Sequence, residues 1–207
     1  HSRSANAKWL TEIAHRNPIW IHTKDAERLG VNNGDLLKIT TAIGWFIDKV
    51  WVTEAIKPGV VACSHHIGRW RRQNDEGNRF MTNTVNINNL GEGKWKMETI
   101  SGVEPWKTDD PDTNRIWWRD GGVHQNITHA ANPDPISGAH CWLQKVSISK
   151  PEKGEKYGDI FVDTNKSFKH FKKWNEWAKA RETHPDGLRR PLWMARPLNP
   201  QLENYYL

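Results

Sequence analysis

A mainly β fold, either a barrel or a sandwich, is what this 207-residue sequence predicts. Two observations point there. Short runs of β-type residues recur, in "LLKITTA" (36–42), "WFIDKVWVT" (45–53) and "VVAC" (60–63). Strong turn signals separate them, in Asn32-Asn33-Gly34-Asp35, Gly44 and Pro58-Gly59. The length allows one large domain, or one domain with long attachments, and is enough to bury a real core.

Taken in order, residues 4–14 predict a short helix with Ser4 as its cap, Trp9, Leu10 and Ile13 on one side and Asn17-Pro18 as its end. "IWIH" (19–22) follows as a short strand. In "TKDAERLG" (23–30), Thr23 suits a helix N-cap, Asp25 and Glu27 lie near the positive end of the helix, and Gly30 is a left-handed stop. The carboxylate of Asp35 is assigned to ordering the NH groups of its own turn. After the three strands, residues 71–121 carry little apolar periodicity and predict an irregular excursion, partly ordered by Trp95, Trp106, Trp117 and Trp118. "CWLQKVSIS" (141–149) alternates as a further strand. In 165–181, Phe168, Phe171, Trp174, Trp177 and Ala178 recur at helical spacing with Lys169, Lys172, Lys173 and Lys179 on the remaining surface. That pattern suits either a helix docked by its aromatic stripe or a surface for an acidic partner. The tail, 183–207, reads as a proline-rich extended arm. The predicted division is therefore 1–150 as the β domain and 151–207 as a C-terminal helix and arm.

The formal charge is +6 and the pI about 9.3, a balance that favours anionic partners without choosing among them. Two cysteines, Cys63 and Cys141, imply no disulfide framework. No apolar stretch approaches the roughly 20 residues of a membrane span. An opening on His1 rather than Met is expected of a processed chain or a piece of a longer one. The 13 tryptophans suit surfaces that contact rings, sugars or protein, and equally suit a core.

The densest chemistry lies in "SHHIGRW" (64–70), where β-type residues stop. Such a turn can bind a metal, grip a polar ligand or stand solvated. A zinc reading would gather Cys63, His65 or His66, His140 and Cys141, but their spacing matches no ribbon or finger. Nucleic-acid binding finds support only in net charge and tryptophan, with no recognition-helix or RNA-binding pattern. No G-x-S-x-G, H-E-x-x-H or P-loop is present to suggest an autonomous hydrolase.

Assembled in order, Asp25-Ala26, Leu29-Gly30, Gly34-Asp35, Gly44 and the Ile56–Val61 run I-x-P-G-V-V, followed by "GVHQNITHAANPDPISGAHCW" (122–142), resemble the C-terminal dinucleotide-binding domain of the molybdopterin oxidoreductases, the dimethyl sulfoxide reductase superfamily. The resemblance covers most of 1–150. It implies a six-stranded double-psi β-barrel that closes over a molybdenum or tungsten bis(molybdopterin guanine dinucleotide) cofactor. The metal ligand and any iron–sulfur cluster would belong to domains absent here. The implied partners are an electron-transfer subunit, together with the remaining domains of a catalytic subunit. The compartment, prokaryotic cytoplasm or periplasm, is left open.

A large polar cofactor calls for loops rich in donors, acceptors and flat rings. Under the resemblance, Gly68 lets the turn fold tightly, while His65, His66 and Arg69 donate to pterin or phosphate oxygens. Trp70 lies against a ring or closes the pocket. His1, Arg3 and Ser4 form an anion or pterin grip before the barrel. Gln125, Asn126 and Asp134 meet purine or pterin edges, with Gln144 and Lys145 as further candidates. No catalytic side chain is implied; the resemblance implies a part of a molybdopterin-dependent oxidoreductase that is not catalytic as an isolated domain.

Overall fold

The computed structural model describes residues 7–75, 82–104, 108–115, 118–132 and 139–178. His1, Arg3, Ser4, Asp134, Trp106, Trp117 and the tail 183–207 lie outside the described residues. The described residues form two compact units. One runs through His129 and resumes over Gln144–Asn165. The other takes the described residues of Ala130–Leu143 and those from Lys166 onward.

The first unit is mainly β. It opens with helix α1 (Lys8–Ile13), strand β1 (Ile19–Ile21), helix α2 (Thr23–Leu29), β2 (Leu36–Thr40), β3 (Gly44–Val52) and β4 (Val61–Ala62). It continues with β5 (Trp70–Arg72), β6 (Asn83–Gly91), β7 (Lys94–Ser101), helix α3 (Pro111–Arg115), a 3-10 turn (Gln125–Thr128), β8 (Ser147–Ser149) and β9 (Ile160–Asp163). Helix α4 (Thr164–Ala178) begins in this unit and passes into the second.

The strands form one mixed sheet with the path β4-β1-β3-β9-β7-β6-β5, and β2 bridges β3 to β8 off that path. β1 with β3 and β5 with β6 are parallel; the other pairs are antiparallel. β3 is the hub. One of its edges pairs with β2 from Trp45 to Lys49, while the other is shared lengthwise, Gly44–Phe46 with β9 and Val50–Val52 with β1. Period-2 alternation sends Ile19 and Ile21 inward from β1, where they meet Leu37, Phe46, Val50, Met97 and Ile160. The sheet is open, with β4 and β5 at its two ends. These end strands are consecutive in the chain, so 63–69 spans from one edge of the sheet to the other.

Several local features differ from the sequence reading. α1 buries Lys8 and Thr11 and turns Trp9, Leu10 and Ile13 outward; the Thr11 hydroxyl satisfies itself on the Ala7 carbonyl at 2.6 Å, so this polar side can be buried. His22, not Thr23, caps α2, its Nδ1 accepting from Lys24 N at 3.1 Å. Asp25 does more than complement the helix end: it accepts from Gly59 N at 2.6 Å and from Arg28 at 3.1 Å, pinning the Pro58-Gly59 turn. Within 141–149 only Ser147–Ser149 is strand, and Trp142 and Leu143 are exposed.

The largest difference is the supposed excursion, which holds β6 and β7, a long hairpin. Gly91 pairs with Lys94, leaving Glu92 (φ 50°) and Gly93 (φ 75°) as a two-residue turn with both residues left-handed. That is the type I′ geometry whose twist matches the strands it joins. In α4, the helix forms as expected, and Phe168 and Phe171 are exposed.

Candidate functional site

The turn between β4 and β5 is organised by backbone hydrogen bonds to residues distant in sequence. Asn17 is 2% exposed and acts as a surrogate strand. Its Nδ2 donates to Ser64 O and Val123 O, both at 2.9 Å, and its Oδ1 accepts from Val123 N at 2.8 Å. The Cys63 thiol donates to Asn17 O at 2.9 Å. Asn83, equally buried, repeats the device one step along: Nδ2 donates to Gly122 O at 2.8 Å and Oδ1 accepts from Gly121 N at 2.9 Å. Gly68 N donates to Gly121 O at 2.9 Å. The segment 121–123 is thus held between the 64–68 turn and the start of β6.

Gly68 makes this approach possible. Its φ is +95°, and a Cβ there would stand 2.3 Å from the Val123 carbonyl carbon and 2.4 Å from His124 N. No other residue type fits without moving the opposing backbone.

Of the expected site residues, six come together here. Asn126 Nδ2 donates to His65 O at 2.9 Å, and Gln125 Nε2 donates to Ser64 O at 3.2 Å. His65 and His66 meet edge to face with centroids 4.0 Å apart. Trp70 is half-buried, tilted against His124 at 6.4 Å. Gln144 joins through a relay. Its Nε2 lies 2.7 Å from His129 Nδ1, and His129 Nε2 lies 3.1 Å from Gln125 Oε1. Because Gln125 uses its NH₂ on the Ser64 carbonyl, its oxygen faces His129. That assigns the proton to His129 Nε2 and leaves Nδ1 to accept from Gln144. Gln125 is buried with both amide ends engaged inside the protein, which makes it a positioning group for the turn. Arg69 is exposed beside Trp70, and its carbonyl accepts from Asn83 N at 2.9 Å. Lys145 is exposed one residue beyond Gln144.

Two properties suit this rim to a polar ligand. The Oδ1 of Asn126 is buried and accepts no hydrogen bond, although its NH₂ is committed to His65. A buried acceptor left unmet is costly, so this atom is suited to a ligand N–H. Burial also lowers the pKa of His124, and burial with the neighbouring His65 ring lowers that of His66. Both shifts favour the neutral imidazole, which can donate and accept.

The zinc constellation does not assemble from these residues. Burial, with Asp48 nearby, pushes the Cys63 thiol well above its usual pKa, and the thiol is engaged with Asn17. His140 and Cys141 belong to the second unit, and no group of three or more His, Cys, Asp or Glu placed to hold a metal occurs among the described residues. Sequence reasoning missed Asn17, Asn83, His124 and His129. Asn17 stood as a helix stop before proline, and nothing local marks an asparagine whose partners lie 47 and 106 residues away.

Three curated proteins resemble parts of the chain. It is 35% identical over 68 residues to ArrA, the molybdopterin-containing subunit of the arsenate respiratory reductase of Chrysiogenes arsenatis, covering 29% of this chain and 8% of that protein. It is 32% identical over 77 residues to a putative dimethyl sulfoxide reductase catalytic subunit of Halobacterium salinarum, covering 37% and 9%. It is 34% identical over 68 residues to a tetrathionate reductase subunit of Archaeoglobus fulgidus, covering 33% and 6%. The chain spans less than a tenth of the length of each of these relatives. Residues 1–108, just over half of the chain, match the molydopterin dinucleotide binding domain, and the chain belongs to that family.

Proposed function

We propose that this chain is the part of a molybdopterin oxidoreductase catalytic subunit that binds the guanine-dinucleotide form of the pyranopterin cofactor, carrying molybdenum or tungsten. Six of the strands are read as a double-psi barrel, with the 63–69 connection linking the two end strands of the sheet. Family membership supports the cofactor class; the unmet Oδ1 of Asn126 in the rim of 64–70 and 121–129 is the observation that carries the residue-level reading.

In this reading Asn126 accepts from a pterin or guanine N–H, His65 and His66 donate to ring or phosphate oxygens, and Arg69 pairs with a phosphate. Trp70 offers a ring face. Gln125, His129 and Gln144 hold the turn that presents Asn126. Lys145 adds a cation, and His1, Arg3, Ser4 and Asp134 are included on the resemblance alone. The metal of the bound cofactor supplies the redox chemistry; the residues here bind and orient it. An electron-transfer subunit, with the other domains of the catalytic subunit, completes the enzyme.

The test is cofactor content of the purified intact enzyme. Asn126→Ala and His65→Ala should each lower metal and acid-released guanine nucleotide per enzyme several-fold, while an exposed distant change such as Lys153→Ala leaves both unchanged. Wild-type content in both rim variants would overturn the reading.

A further inference from the structure

A second cleft lies in the first unit, on residues separate from the rim. It has a volume of about 500 Å³ and is bounded by the 13–18 connection after α1, the Asn33-Gly34 turn, and Asp48–Trp51 of β3. No residue of 64–70 or 121–129 lines it. Trp20 and Trp51 form an aromatic wall, edge to face at 4.4 Å, and Trp51 is 42% exposed. A volume of this size falls in the range of small-molecule sites.

Two residues of its lining each carry a buried polar atom without a hydrogen bond. Asp48 is 2% exposed; its Oδ1 accepts from Lys49 N at 2.7 Å, and its Oδ2 accepts nothing. His15 stacks on Trp118 with centroids 5.7 Å apart, and its Nδ1 is likewise without a hydrogen bond. The neighbouring groups do not fill these needs. Tyr157 gives its hydroxyl to Asp120 at 2.6 Å, and the ammonium of Lys49 lies over the Tyr157 ring at 4.8 Å. Arg16 lines the same cleft and is exposed; its charge and that of Lys49 act on Asp48, but neither gives Oδ2 a hydrogen bond.

We propose that this cleft binds a guanidinium group, its N–H fork meeting Asp48 and His15 and its plane lying against the tryptophan wall. A guanidinium matches on three counts. It is planar and stacks on aromatic faces, it carries several donors and no acceptor, and its charge favours the ionised form of Asp48 that burial disfavours. An ammonium would answer the charge but not the planarity. The group can come from an arginine elsewhere in the same enzyme or from a free guanidino compound.

The test uses methylguanidinium at matched ionic strength, followed through the indole N–H resonances of Trp20 and Trp51, assigned with Trp→Phe variants. The full chain should show saturable shifts confined to those indoles and to residues near Asp48. Asp48→Asn should weaken binding at least about tenfold, as loss of a charge-assisted hydrogen bond implies. Methylammonium should bind several-fold more weakly. The same titration in the intact enzyme distinguishes the sources: loss of binding there assigns the cleft to an internal arginine, and retained binding assigns it to a free compound. Arg16→Gln guards against self-occupancy. If only that variant binds the probe, Arg16 itself fills the cleft and the proposal fails. It also fails if the chain binds neither cation saturably, or both equally.

Discussion

Asn17 and Asp48 show how differently two side chains, each 2% exposed, can stand in one core. Asn17 satisfies three backbone groups and leaves none of its own polar atoms wanting. Asp48 has one oxygen engaged and one buried without a partner. Burial is the main cause that raises its pKa well above the usual carboxylate value, with Asp120 adding to it, while the Lys49 backbone N–H and the charges of Lys49 and Arg16 pull the other way. A carboxyl whose folded pKa exceeds its unfolded value binds protons more tightly in the native state. Its contribution to stability is present below the unfolded value, near about 4, and is lost as pH rises through the folded one. Asp48→Asn keeps the Lys49 contact and cannot ionise. We expect it to match wild type near pH 4 and to exceed it by about 1 kcal/mol or more at pH 8, by urea unfolding. A variant less stable than wild type at pH 8 would show that Asp48 is ionised and held by a counter-charge.

At the scale of elements, the hairpin of β6 and β7 rests on a turn that the sequence fills with an unusual residue. Glu92 is the one non-glycine residue with positive φ among the described residues, flanked by Gly91 and Gly93. Asparagine adopts that region more readily than glutamate. Glu92→Asn should raise the unfolding free energy by about 0.5 kcal/mol, net of an exposed ion pair to Lys94 that is worth little. An equal or lower urea midpoint would place the strain elsewhere. The same hairpin marks where the sequence stopped being legible. Val85, Ile87 and Met97 do alternate, but asparagines dominate β6 and lysine, glutamate and threonine dominate β7, so a half-buried ladder carries little of the apolar signal that revealed β2 and β3. The Asn32–Asp35 turn was readable because its chemistry is local: Asp35 Oδ2 accepts from Asn32 N at 2.7 Å, as its spacing implies. In the rim, "SHHIGRW" stood out through composition. The asparagines that hold it did not, because each acts across dozens of residues and resembles any other loop asparagine in isolation. α1 misled for the opposite reason: its apolar spacing is genuine, but Trp9, Leu10 and Ile13 face outward in this chain.

For the molecule as a whole, the open sheet leaves β4 and β5 without a shared ladder, and the link between its ends runs through the 64–68 turn, Asn17 and 121–123. That path couples the rim to the core, since Asn17 directly precedes the Pro18-Ile19 entry into β1 and Asn83 opens β6. A perturbation at either contact should therefore release the same segment. Asn17→Ala strands the Ser64 and Val123 groups and should cost about 3 kcal/mol or more. Gly68→Ala drives a Cβ into Val123 and should cost at least about 2 kcal/mol. Once one change has freed 121–123, the other has less left to break. The double variant should then fall short of the sum of the two singles by about 1 kcal/mol or more, in the range seen for residues sharing partners. Strict additivity in urea unfolding would mean that the turn and Asn17 hold 121–123 independently, and that the end strands are joined by something other than this one cooperative path.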